Sequence, residues 1–200
     1  QFRLSSKAKT TNGYAKVPQL FAQITQPDDV DFLIIPSVSS ERRRYVPIGF
    51  ATQDIISSNA VQIVPNATLY HFGVLTSNVH MAWMRAVCGR LKSDYRYSKE
   101  IVYNTFPWPK PTEEQRIKIE QTAQVILNAR EQYSDCSLAD MYGEKMYLFP
   151  ELVKAHQDND RAVMQAYGFT KGREAYKSEA ACVAELMKLY QKKVEELEKR

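Results

Sequence analysis

Apolar positions fall into short continuous or alternating runs before about residue 110 and into helical spacing after it. Residues 31–35, Asp-Phe-Leu-Ile-Ile, predict a buried strand stopped by Pro36. Residues 45–50 predict an edge strand, because Pro47 has no amide to give to a ladder. Residues 61–64 and 69–75 predict two further strands, separated by the turn-prone Pro65-Asn66. Val79, Ala82, Trp83, Ala86 and Val87 then recur at the spacing of one buried helical face. Thr76, Ser77 and Asn78 offer acceptors for its first amides, and Gly89 is placed to end it. Residues 90–98 hold three cations, one carboxylate, two tyrosines and two serines, which predicts an exposed loop. Ile101-Val102-Tyr103 suggests a short strand. Phe106-Pro107-Trp108-Pro109-Lys110-Pro111 fits neither helix nor central strand, because alternate prolines remove the donors.

That proline run marks a boundary. Thr112-Glu113-Glu114-Gln115 has the form of a capping box with negative charge in the first turn, and Ile119, Ala123, Ile126 and Leu127 supply an apolar face, so a helix is predicted over about 113–131. Residues 137–142 and 150–168 read as further helices, with Asp158-Asn159-Asp160 as a break in the second. Val183, Met187, Tyr190, Val194 and Leu197 are spaced four, three, four, three, the a/d seam of a coiled-coil-like helix. The seam either packs on other helices of its own domain or docks another domain or subunit. The fold class is thus an α+β domain, residues 1–110, followed by an all-α helical domain, residues 111–200.

Charge divides along the same line. Residues 1–111 carry 13 Lys and Arg against 7 Asp and Glu, whereas residues 112–200 carry 14 against 16, so any contact with phosphate is expected in the first part. Cys88, Cys136 and Cys182 lie more than forty residues apart, which argues against a zinc ribbon or disulfide framework, and His71, His80 and His156 are equally scattered. His71 reads as a core or edge-strand histidine. No apolar run approaches the roughly 18 to 20 residues of a membrane span, and no signal peptide is visible, so a cytoplasmic location is expected. The chain opens at Gln1 inside a strand-and-loop pattern and reads as a piece of a longer polypeptide.

Catalytic signatures are missing. The seven glycines are isolated, no Asn-Pro-Pro occurs, and there is no Glu-x-Lys of the usual Mg-dependent nuclease, so no catalytic residue and no metal site is expected within the chain. Asp28, Asp29 and Asp31 are explained by a solvated turn after Pro27. Recognition is better supported. Ser39-Ser40-Glu41-Arg42-Arg43-Arg44 sets three guanidiniums beside two hydroxyls, and arginine forks bind phosphate or span O6 and N7 of guanine. In an extended segment Arg42 and Arg44 would share one side and Arg43 the other. Trp83, Trp108, Phe106 and Tyr103 suit core packing better than stacking on single strands.

The blocks HMAWMRAVCGRLKSDYRYS and IVYNTFPWP, with IPSVSSERRRYVPIGF, FGVLTSNVH, SLADMY and ELVKAH in the same order, resemble the MmeI-like, or type IIL, restriction-modification enzymes. The likeness covers almost the whole chain and thins after about residue 168. It implies an α+β target-recognition domain followed by a C-terminal helical domain, with nuclease and adenine-N6 methyltransferase domains upstream of Gln1. The parent's S-adenosylmethionine and Mg2+ would be held in those domains, and the expected partners are double-stranded DNA and the parent's methyltransferase domain.

Within the resemblance, Lys92 and Asp94 stand where the family has its base-reading pair. Lysine is a donor suited to guanine O6 and N7, and aspartate an acceptor suited to the cytosine amino group, so together they would read one G·C pair in the major groove. Their bland alternative is a local ion pair. Arg42, Arg44, Ser39, Arg90, Tyr95, Arg96 and Ser98 are the expected phosphate and positioning contacts, with Tyr95 or Tyr97 free to pack inward. The function expected is sequence-specific duplex recognition; a standalone nucleic-acid-binding adaptor and a protein-interaction module are the rivals.

Overall fold

The computed structural model describes residues 2–17 and 29–199. Asp28 and Pro27 lie outside the described residues. After a short helix, α1 (Lys9–Gly13), the chain forms β1 (Phe32–Pro36), β2 (Val38–Ser39), β3 (Gly49–Ala51) and β4 (Val61–Pro65). Helices α2 (Leu69–Leu75) and α3 (Asn78–Val87) follow, then β5 (Gly89–Leu91) and β6 (Asp94–Arg96). The helical part comprises α4 (Glu113–Glu131), α5 (Leu138–Met141), α6 (Pro150–Ala166), α7 (Glu174–Lys177) and α8 (Glu179–Glu198). The α+β reading followed by helices matches this order.

Two antiparallel three-stranded sheets carry the first part, ordered β3-β1-β4 and β2-β6-β5. A single residue, Ser37, separates β1 from β2 and belongs to both: its amide donates to Ala60 O (2.9 Å) and its carbonyl accepts from Tyr97 N (2.9 Å). The polar hairpin β5–β6 is therefore attached to the apolar sheet by main-chain bonds.

Local signals hold where they are strong. The capping box of α4 forms as read, Gln115 N donating to Thr112 Oγ1 (3.3 Å) and Thr112 N to Gln115 Oε1 (2.9 Å). Ile119, Ala123 and Ile126 are fully buried. Residues 69–75 are a helix rather than a strand. Thr68 N donates to His71 Nδ1 (3.1 Å) in the first turn, and Phe72, Gly73, Val74 and Leu75 are all buried, so the apolar run has no period to announce a helix. His71 accordingly serves as a capping residue of the first turn.

Residues 45–48 are not strand either. Ile48 N bonds Val46 O (2.8 Å) in a tight turn around Pro47, and both apolar neighbours of the proline are buried. Residues 99–103 form a wide helical turn, in which Asn104 N reaches Lys99 O (2.8 Å) and only Val102 is buried. α3 stops at Val87, before Gly89, which enters β5 opposite Arg96.

One buried cluster runs from Leu33 through Trp83 to Leu186 and joins the sheets to the helices. α4 packs on α2 at Gly73, where an added Cβ would lie 2.7 Å from Ile119 Cγ2 and 3.1 Å from both Ala123 Cβ and Asn159 Oδ1. Gly73→Ala is thus expected to lower stability by about 1–3 kcal/mol, because neither helix can give way without disturbing the Asn159 bond to Gly73 O. That bond measures 2.8 Å. Chemical denaturation measures the change, and an unshifted midpoint would show that the two helices slide apart freely.

α6 is unbroken at residues 158–160, where Asn159 and Asp160 turn inward. The buried face of α8 is centred on Cys182 and Leu186, each one position before a seam residue, while Val183, Met187, Tyr190 and Val194 are half-buried at its edge and the Tyr190 ring lies 5.9 Å from Trp83. The helix therefore packs within the chain, on α7 of its own domain and on α3 of the first part, and Leu197 stays 64 % exposed beyond it. No described helix is long and apolar enough to cross a membrane.

Candidate nucleic-acid interface

The predicted loop at residues 90–98 is a hairpin whose side chains alternate: Tyr95 and Tyr97 are buried, Arg96 is exposed, and Asp94 and Ser98 are half-buried. Tyr97 is fixed from below, since its hydroxyl is 3.0 Å from His80 Nε2, both rings are buried, and the His80 ring stands edge-on to Phe106. Burial pushes His80 down to about 3, so the imidazole is neutral near pH 7. At the tip, Lys92 has φ 56°, left-handed backbone that costs a side-chain-bearing residue roughly 1–2 kcal/mol. Its side chain is exposed and has no ionic partner among the described residues.

β2 pairs with β6, Ser39 opposite Tyr95, and leads directly into the arginine run. That run is a turn and not an extended segment: Arg43 N donates to Ser40 O (3.1 Å) and Arg42 N to Ser40 Oγ (3.3 Å). The extended backbone behind the expected alternation is absent there, although exposure falls in the expected order. Arg42 is 72 % exposed, Arg44 is exposed with its guanidinium 5.4 Å from the Tyr45 ring centroid, and Arg43 is half-buried.

The two turns adjoin. Arg90 Nη1 donates to Ser93 O (2.7 Å), its guanidinium covers the Tyr95 ring at 4.1 Å, and Glu41 stands 3.8 Å away. Glu41 and Asp94 both add to the field that raises the Arg42 pKa, after the larger effect of a hydrogen bond and charge from Glu144. The structure therefore brings the arginine turn beside the hairpin through Arg90 and Asp94, which leave opposite faces of the hairpin, with Lys92 exposed at its tip and Arg96 exposed on β6.

Three expected contacts are placed otherwise. Ser39 is 3 % exposed, with its hydroxyl enclosed between strands, and Tyr95 is 8 % exposed beneath Arg90. Neither offers a side chain to a duplex. Ser98 caps the following turn, accepting from Ile101 N (3.3 Å), which fixes the hairpin's exit. Trp83 and Phe106 are fully buried, while Trp108 and Tyr103 pack half-buried against the core.

Sequence reading missed the supports that reach across the chain. Arg85 on α3 holds Glu179 through two bonds (2.7 and 2.8 Å) and donates to Arg44 O (3.2 Å). Asp160 accepts from Tyr45 OH (2.7 Å) and Asn78 N (2.7 Å), tying α6 to the start of α3 and the end of the arginine run. Arg130 donates to Ile48 O (2.8 Å) and twice to Tyr142 OH (2.9 and 2.6 Å). Apart from Arg85 to Arg44 and Arg130 to Tyr142, these pairs lie about eighty to one hundred and fifteen residues apart, and no local pattern marks them. Among the described residues no three His, Cys, Asp or Glu side chains gather as a metal site.

Comparison with known proteins agrees with the order of the two parts. Residues 1–110 match the family described as MmeI, target recognition domain, and residues 111–198 match MmeI, C-terminal domain. A relative in Bacillus subtilis (strain 168), DNA methyltransferase A, is 37 % identical over 193 residues, covering 96 % of this chain and 21 % of that protein. A solved structure of the type IIL restriction-modification enzyme MmeI in complex with DNA superposes with a TM-score of 0.85 at 48 % identity, over 96 % of this chain and 25 % of the other. The chain thus spans between a fifth and a quarter of the length of these relatives. With both family descriptions matched end to end, the chain belongs to the MmeI family, in its target-recognition and C-terminal domains.

Proposed function

We propose that this chain supplies the DNA sequence specificity of a longer modification enzyme. Residues 1–110 read the duplex and residues 111–200 brace them. The observation that carries the reading is the adjacency of two exposed turns, at residues 40–43 and 91–94, that carry Arg42 and Lys92 on a scaffold matching the MmeI target-recognition domain. Lys92 and Asp94 read one G·C pair from the hairpin tip, and Arg42, Arg44, Arg90 and Arg96 contact phosphate or position the tip. Ser39, Tyr95 and Ser98 serve the surface by holding its strands and turns in place.

The relatives' names support a parent that methylates DNA and belongs to a restriction-modification system. In this reading the parent transfers a methyl group to adenine N6 from S-adenosylmethionine and cuts with Mg2+, in domains other than these two. The partners are double-stranded DNA and the parent's methyltransferase domain.

Selection of bound duplexes from a randomised pool by the whole protein tests the reading. The recovered site is expected to hold one position with a strand-specific G that flattens in Lys92→Gly. Glycine accepts the left-handed backbone at this tip, so the variant stays folded while the ammonium is lost. A pool that returns no preferred sequence would overturn the reading in favour of a non-specific adaptor, and no duplex binding at all would leave an interaction module.

A further inference from the structure

The helical part, acidic overall, meets an exposed arginine of the recognition turn at Glu144. Glu144 Oε1 lies 2.6 Å from Arg42 Nη1, and both side chains are largely open to solvent, at 61 % and 72 %. Glu144 is not on a loose loop. It follows Tyr142, which is 1 % exposed and held by Arg130 and by His156 Nε2 at 2.7 Å, and it sits in a turn closed by Met146 N to Gly143 O (3.1 Å). The backbone that carries Glu144 is therefore anchored beside the arginine turn, within reach of the Arg42 guanidinium.

We infer that Glu144 is a specificity-determining counter-ion which occupies Arg42 in the free protein and restrains its use as a sequence-independent phosphate contact. The inference rests on the DNA-reading function proposed above. A phosphate approaching Arg42 must displace a carboxylate already hydrogen-bonded to it, and that carboxylate also repels the phosphate. Affinity drawn from backbone alone is thereby lowered, which leaves a larger share of binding to the base contacts at the hairpin tip.

Glu179 provides an internal control. It too is an acidic residue of the helical part bound to an arginine near the same turn, but Arg85 is only 20 % exposed and is also engaged by Arg44 O. Releasing Glu179 should not free a phosphate contact.

The test measures binding of a short mixed-sequence duplex to the whole protein as a function of salt, for wild type, Glu144→Gln, Glu179→Gln and the double variant Arg42→Gln with Glu144→Gln. Glu144→Gln is expected to bind about three- to tenfold tighter at moderate salt and to steepen the log–log salt slope by about 0.9, the signature of one added phosphate contact. Glu179→Gln makes the same change in net charge and is expected to leave the slope where it was. The double variant should lose the whole gain.

An unchanged slope in Glu144→Gln, equal steepening in Glu179→Gln, or a gain that survives loss of Arg42 would each overturn the inference. If wild type binds and Lys92→Gly loses its base preference while Glu144→Gln changes nothing, only the inference fails. If no protein in the series binds duplex at low salt, the proposed function fails with it.

Discussion

Exchanging the two charges at the hairpin tip, Lys92→Glu together with Asp94→Arg, is expected to invert the base preference at one position of the recognised site. Lys92 presents only donors and Asp94, when ionised, only acceptors, so each prefers one edge of a G·C pair in the major groove. In the variant the donor leaves from position 94 and the acceptor from position 92, and the preferred pair becomes C·G. Each good contact of this kind discriminates by roughly 1–3 kcal/mol, so the change of sign should span about one to four orders of magnitude in relative affinity.

The double exchange leaves net charge unaltered, which keeps the sequence-independent attraction to DNA constant. Either single exchange shifts the charge by two and confounds specificity with overall grip. Asp94 also adds to the field at Arg42, so the glutamate at 92 offsets the charge that an arginine at 94 brings to that turn. Selection from a randomised pool, run in parallel for wild type and the double variant, measures the outcome. An identical site for both would remove Lys92 and Asp94 from the reading role and leave them as a surface pair.

How far the sequence reveals this arrangement depends on how local each cause is. The capping box of α4, the apolar run of β1 and the strand β4 are written within a few residues and appear where the pattern places them. α2 reads as a strand because all its central residues are buried, and a run with no polar face carries no period. The hairpin hides for the opposite reason. Its only inward side chains are Tyr95 and Tyr97, an alternation too short to stand out among polar residues.

The basic residues of the candidate surface are visible as two clusters, yet their adjacency follows from the pairing of β2 with β6, more than fifty residues apart in sequence. Burial of Ser39 and Tyr95 follows from that same pairing. Glu144, Asp160 and Arg130 act on partners about eighty or more residues away, where composition and spacing carry no distance information.

Acid is expected to destabilise the chain from about pH 6.5 downward, and one carboxylate softens the fall. His80 and His156 are both fully buried; desolvation lowers both pKa values, with Arg130 and Arg44 adding to the effect at His156. Geometry agrees, because Nδ1 of each ring has no hydrogen-bond partner, and Arg130 makes the Tyr142 oxygen an acceptor so that its O–H donates to His156 Nε2. The unfolded chain takes up protons at these rings near 6.5, while the folded chain does not until near 3 at His80. Stability is therefore fully present above 6.5 and lost as pH falls, by about 1.4 kcal/mol per unit for His80 alone, with His156 adding in the same direction.

Asp160 works against this loss. Burial raises its pKa to about 6, despite donors from Tyr45 and Asn78 and the nearby Arg44 and Arg161, so the folded state holds that proton more tightly than the unfolded state does. Its ionised form is a cost above pH 6 that is relieved as pH falls toward 4. Asp160→Asn removes the relief, and the variant is expected to lose about 1.5 kcal/mol more than wild type between pH 6 and pH 4.5. Urea unfolding at a series of pH values reads both slopes. Parallel profiles for the two proteins would mean that the Tyr45 and Asn78 donors keep Asp160 ionised throughout, and a stability independent of pH below 6.5 would mean that the two histidines are protonated in place.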